Sequence, residues 1–233
     1  MRQPNWTIDE VLLGVQTYFE IGDVRKMTPD NPELISLSQT LRTLPVHEYA
    51  GETFRNVPGV EMTLKSIAVL DKESRYSMKT SSGLQRDVYC YYKDDEVRLK
   101  RICEAIKACL PLPFEFKKDV ESPCRMVGNI LYQYHLHIEH DTAVAKIAKR
   151  NAEERQLSHC QICGNDLCDI YGEEGVSLLE QHYSESVIHY SRVMKILPGK
   201  FIGICPTCHE FAHCHPESKD IRLTTTAKRE GNV

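Results

Sequence analysis

The sequence has no apolar run of 18 or more residues, so no membrane-spanning helix is expected. Its first ten residues, MRQPNWTIDE, lack the apolar core of a secretory signal. A cytoplasmic protein without a membrane partner is the expectation. No charge of one sign dominates: 29 Lys and Arg stand against 33 Asp and Glu, a net charge of −4. That excludes a wholly basic nucleic-acid coat but leaves room for a local basic face. Internal repeats and low-complexity tracts are absent. With 41% hydrophobic and 27% charged residues the chain is neither disordered nor collagen-like.

Cysteine is the unusual presence. Ten cysteines in 233 residues are too sparse for a small disulfide scaffold. In a reducing compartment, paired cysteines read as metal ligands before disulfides. Two pairs have C-x-x-C spacing, Cys160/Cys163 and Cys205/Cys208. Each pair can turn two thiolates onto one ion, and four thiolates close a tetrahedral structural zinc site. Cys168 and Cys214 complete no pair and read as bystanders. Cys90, Cys103, Cys109 and Cys124 read as buried apolar residues.

The fold class expected is α+β, with a helical N-terminal domain followed by a small zinc-stapled module. The domain reading is 1–93, a connecting helix and segment over 94–126, a second domain over 127–215, and a tail over 216–233. Thr7-x-x-Glu10 is a capping box opening a first helix. Asn31-Pro32 opens a second, with a stripe of Leu34, Leu37, Leu41 and Leu44, stopped by Pro45. A third is expected from about Val60 to Leu70. Residues 72–93 read as a linker with a short strand over Val88–Tyr92. A fourth helix is expected over 94–110, with Val97, Ile102, Ile106 and Leu110 inside. The stretch from Asn129 to Tyr134 fits strand or helix equally. A helix over Thr142–Arg155 carries Ala143, Val144, Ile147 and Ala148 on one side and Lys146, Lys149, Arg150 and Arg155 on the other. Lys146, Lys149 and Arg150 are candidate phosphate contacts, although a solvated face explains the same run.

The second knuckle continues as Cys208-His209-Glu210-Phe211-Ala212-His213. His209 and His213 lie one helical turn apart and can share a cation. Upstream, Leu178 to Tyr183 alternates as a strand does, with His182 on it. Phe201-Ile202-Gly203-Ile204 is a second apolar run. Strand, loop, strand, helix is the expected order, with the zinc able to bring His182 beside His209 and His213.

These residues resemble the HNH endonuclease family, in its McrA-like branch that cleaves modified DNA. The resemblance rests on Cys160-x-x-Cys163, Tyr171-Gly172-x-x-Gly175, Glu180-x-His182-Tyr183 and Cys205-Pro-x-Cys208-His209-x-x-x-His213, within 127–215. Residues 4–71 are similar to the helical domain preceding such modules, through Asn5-Trp6-Thr7, Asn31-Pro32-Glu33, Leu44-Pro45-Val46-His47 and Arg55-Asn56-x-Pro58-Gly59-Val60-x-Met62. The resemblance implies a ββα-metal module hydrolysing phosphodiester bonds in DNA, in restriction or defence. It implies a divalent cation (magnesium, manganese or nickel) on His182, His209 and His213, with Glu180 at the acidic position. It places DNA recognition in the N-terminal domain, where Arg55, Lys65, Arg75 and Lys79 are candidate contacts. A palindromic target would favour a homodimer.

The pattern departs in three places. Tyr183 stands where the family has its general-base histidine, Ser186 where it has proline, and Lys200 near the place of its asparagine. A nearby cation could lower the pKa of the Tyr183 phenol enough for it to act as the base, or another residue could serve, with His189 one candidate. The alternative is a zinc-containing relative that binds DNA or docks a partner without cutting. Upstream, His135 matches a family histidine, while Ile138 and His140 replace two arginines.

Overall fold

The computed structural model describes residues 3–48, 51–74, 76–77, 81–191 and 194–216. Arg75, Lys79 and the tail beyond 216 lie outside them. The chain forms two compact units, one of residues 1–120 with 128–130, the other of 121–127 with 131–233. Among the described residues, helices supply most of the regular structure, with one two-stranded antiparallel sheet beside them. The class is α+β. Among the described residues, no helix is long and apolar enough to cross a membrane.

The first unit is a helical bundle: α1 (Ile8–Ile21), α2 (Pro32–Thr43), α3 (Val57–Ala68), α4 (Gly83–Tyr92) and α5 (Glu96–Ala108). The Thr7–Glu10 capping box is present in full, and Gly22 ends α1 in the left-handed region. Central α1 is buried nearly all round, with Val11, Leu12 and Val15 fully enclosed. It packs against each of the other four helices of the unit. Asn31 caps α2 as expected.

Three expectations need correction here. First, α3 starts at Val57, because Asn56 caps it through a bond from the Gly59 N–H. Second, the expected strand over Val88–Tyr92 is the end of α4. Ser82 and Gln85 form a second capping box, and Gln85, Val88, Tyr89 and Tyr92 share the buried helical face. Aromatic and β-branched residues favour strands where a partner strand exists, and none lies beside this segment among the described residues. Third, Val97 is exposed on the first turn of α5, while Leu99, Ile102, Cys103 and Ile106 are buried. Cys90 is exposed as well, unlike Cys103 and Cys109.

Helix α6 (Asn129–His140) settles the ambiguous stretch. Its first two backbone N–H groups, of Asn129 and Ile130, donate to the carboxylate of Asp9 at 3.2 and 3.0 Å. Gly128 precedes them at a φ of 86°, and a side chain there would meet Asp9. Burial raises the Asp9 carboxyl from about 3.8 to about 6, against the pull of the two N–H groups. A carboxyl raised on folding stabilises most below its unfolded pKa and loses that contribution as pH rises through its folded value. We therefore expect Asp9→Asn to gain stability relative to wild type between pH 4 and pH 6, by up to about 3 kcal/mol. Urea unfolding at both pH values checks this; an unchanged difference would show that Asp9 does not titrate there.

The second unit contains the rest of α6, then α7 (Ala143–Glu154), α8 (Leu167–Tyr171), β1 (Glu180–Tyr183), β2 (Phe201–Ile204) and α9 (Pro206–Cys214). The strands pair in the register Glu180↔Ile204 and His182↔Ile202. Strand, loop, strand, helix is thus the observed order. Helix α7 packs on both strands and α9 packs on β1. On α7 the buried residues are Ala145 and Ala148; Ile147 is exposed, in correction of its expected place. Gly175 lies against α8 so closely that a Cβ would sit 2.3 Å from the Leu167 backbone, which explains the second glycine of the Tyr171-Gly172-x-x-Gly175 motif.

Candidate metal centres

The four expected thiols converge. Cys160, Cys163, Cys205 and Cys208 bring their sulfurs within 4.8 Å of one another, with 3.9 Å between Cys163 and Cys205. Tetrahedral zinc with a Zn–S distance of about 2.3 Å separates its sulfurs by about 3.8 Å, so the set fits. Local bonds build it. The Gly164 N–H donates to the Cys160 carbonyl, closing the first knuckle. Between the two cysteines of that knuckle, Gln161 exchanges bonds with Gly203 of β2, its N–H donating at 2.9 Å and its Oε1 accepting at 2.7 Å. This fastens the first knuckle beside the strand that leads into Cys205. Burial opposes ionisation of Cys160, but the backbone N–H groups of Cys163, Cys205 and Ile162 outweigh it and bring the thiol to about 7. Burial and neighbouring thiols push Cys208 the other way. Four thiolates held this close need a cation between them.

A second cluster lies where α6, β1 and α9 meet. His135, Glu139, His182 and His213 bring one ligand atom each within 4.8 Å of one another, and all four residues are buried. The carboxylate of Glu139 is its centre. One oxygen lies 2.8 Å from His135 Nε2 and 2.6 Å from His182 Nδ1 and accepts from the Tyr183 backbone N–H at 2.8 Å. The other lies 3.1 Å from both His209 Nε2 and His213 Nε2. The contact with His182 has ion-pair length but not hydrogen-bond direction, which leaves that buried nitrogen without a hydrogen bond. A divalent cation would satisfy it. Three imidazoles and a carboxylate suit zinc, nickel or manganese better than magnesium, which prefers an oxygen shell.

The structure redistributes the expected roles. His182 and His213 take part as expected. His209 stands beside the four: its Nδ1 meets Glu180 at 2.6 Å and its Nε2 lies 2.9 Å from that of His213. Burial works against charge on His209, but the Glu139 and Glu180 carboxylates outweigh it and raise its pKa. Glu180 therefore orients a histidine. Tyr183 is buried beside the cluster rather than exposed to the cleft. Its ring is buried against Phe201 at 5.1 Å, and burial raises the phenol above its ordinary 10. His189 is exposed on a short turn, and its neighbour Tyr190 is the residue that reaches the cluster, its hydroxyl meeting His135 Nδ1. Lys200 pairs with Glu185 at 2.7 Å.

Among the expected DNA contacts, Lys146, Lys149 and Arg150 are exposed on α7. Arg55 needs correction: it is buried in the first unit, with Nε 2.6 Å from Glu10, and is not available to a phosphate.

Sequence reasoning missed Glu139, His135 as a ligand, and Tyr190. The signal for the first two was their spacing. On a helix His135 and Glu139 share a face that excludes His137 and His140, whereas a strand would align 135, 137 and 139. A narrow cleft opens onto His135, His182 and His213, with Ser184, Ser186 and His215 on its walls.

No family model, no curated protein and no solved structure matches the chain.

Proposed function

We propose that the chain is a metal-dependent DNA endonuclease of HNH type, acting in restriction or defence. One observation carries this reading: His182 from the first strand and His213 from the helix after the second strand converge with His135 and Glu139 at the base of a narrow cleft. A divalent cation bound there would stabilise charge on a phosphoryl oxygen and on the leaving oxygen. The chain's own residues do the rest. Tyr190 orients His135 through Nδ1, which leaves Nε2 facing the Glu139 carboxylate and the cation position. Glu180 holds His209 against the Glu139 carboxylate. With Tyr183 buried, the base falls to His215, the cleft imidazole that is not tied into the cluster. Lys146, Lys149 and Arg150 offer backbone contacts, and a homodimer would suit a palindromic target.

The second reading is a relative that binds DNA or a partner without cutting, and the buried Tyr183 phenol favours it. Plasmid cleavage with zinc, nickel, manganese or magnesium separates the two. The nuclease reading expects wild type to cut, His182→Ala to lose cutting, and His215→Ala to slow it by about 10²–10⁴-fold. Cutting by Tyr183→His alone would establish the binder.

A further inference from the structure

The Glu139 carboxylate meets two pairs of imidazoles, one pair on each oxygen. Oε1 faces His135 Nε2 and His182 Nδ1 at 2.8 and 2.6 Å. Oε2 faces His209 Nε2 and His213 Nε2, both at 3.1 Å. His209 lies outside the four residues whose ligand atoms fit within 4.8 Å, so a single cation does not collect all five groups.

The second pair has a geometry of its own. His209 Nε2 and His213 Nε2 are 2.9 Å apart, and with Oε2 they form a triangle of 2.9, 3.1 and 3.1 Å. Neighbouring ligands of an octahedral cation at about 2.1 Å lie about 3.0 Å apart. The triangle therefore matches one face of such a shell. Two histidines and one carboxylate on a face suit a divalent transition metal and leave its other positions for water or substrate. His209 is turned for this role. Glu180 engages its Nδ1 at 2.6 Å, which leaves Nε2 facing Glu139 and His213. A carboxylate on the far nitrogen is the usual support of a metal-bound histidine.

The other oxygen keeps room for a cation as well. The Tyr183 N–H takes one lone pair of Oε1, and the second remains. Beside it the buried Nδ1 of His182 has no hydrogen bond.

We propose that this cluster holds two divalent cations bridged by Glu139, one on His135 and His182, the other on His209 and His213. With one cation loaded, His213 completes its shell among the four converging ligands. Loading the second draws His213 to His209. The inference rests on the reading of this cluster as a cation site and not on cleavage of DNA. Manganese, cobalt, nickel or zinc suits both positions. Two cations about 3.5–4 Å apart can stabilise the attacking and the leaving oxygen of one displacement together. Such a pair would lessen the need for the histidine that the HNH pattern has where Tyr183 stands.

The full chain, with zinc kept on its thiols, is stripped of other metal and titrated with manganese(II). Electron paramagnetic resonance counts the bound ions and reads spin coupling between neighbours. Wild type is expected to bind two manganese ions per chain, and the doubly loaded protein to show a coupled signal. His209→Ala and His135→Ala should each keep one ion and lose the coupling. In His209→Ala the remaining ion should be held within about tenfold of the first ion of wild type. Thiol zinc, counted in the same samples, reports that the second unit of each variant is folded. One ion in wild type, two ions without coupling, or two ions in His209→Ala overturns the proposal. One ion in wild type leaves the single-cation reading of the cluster standing, whereas no ion beyond the thiol zinc overturns both.

Discussion

Protein purified under reducing conditions and cleared of loosely held metal is expected to keep one zinc per chain on its four thiols, and to lose the fold of its second unit when that zinc is withdrawn. The apolar cluster around the site is small: Leu167, Leu179 and Ile204 with the sulfurs of Cys160 and Cys205, plus partly buried Ile162 and Ile202. A few aliphatic side chains contribute about 1.5–3 kcal/mol each, whereas ordering the chain costs about 1–2 kcal/mol per residue. Structural zinc in small modules contributes on the order of 10–16 kcal/mol, enough to decide the balance. Cys163→Ser should therefore abolish tight zinc binding and expose residues 131–216 to proteolysis, while the bundle around α1 stays protected. Metal analysis coupled to limited proteolysis reads both. A zinc-free protein with an intact second unit would remove the metal from the account of this fold.

The second large effect concerns Glu139. Its pKa is held well below the ordinary carboxylate range: burial opposes the charge, but His135, His182 and His209 outweigh burial. Glu139→Gln keeps the shape and removes the charge. Two of its hydrogens would then point at imidazole nitrogens in a closed space. We expect cation affinity at this cluster to fall by at least about a hundredfold and unfolding free energy to fall by about 3 kcal/mol or more. His209→Ala is the informative contrast. His209 lies outside the four converging ligands, so its removal should weaken the cation by about tenfold and no further. Cobalt(II) titration followed by absorbance gives both affinities. Equal losses in the two variants would make His209 a ligand and restore the originally expected triad.

The helices of the first unit were legible because their signals are local. Capping at Thr7 and Asn31, and the leucine stripe of α2, each span a few residues. Helix α4 was misread because a short aromatic run suits two secondary structures, and only its burial face chooses. Arg55 was misread for a related reason. Charge suggests exposure, but Glu10, the second residue of the α1 capping box, claims the guanidinium across 45 residues. The four thiols were legible because C-x-x-C spacing is itself a geometric constraint.

The second cluster divides along the same line. The sequence by itself determined that His182 and His213 could meet, since strand alternation and helical spacing are properties of short segments. It could not determine that His135 and Glu139 would join them, or that His209 would be drawn aside by Glu180. Those outcomes depend on where α6 lies against β1 and α9, and one carboxylate placed among four imidazoles then chooses which nitrogens it engages. Long-range packing supplies that placement, because burial of the shared faces fixes it and no local pattern encodes it.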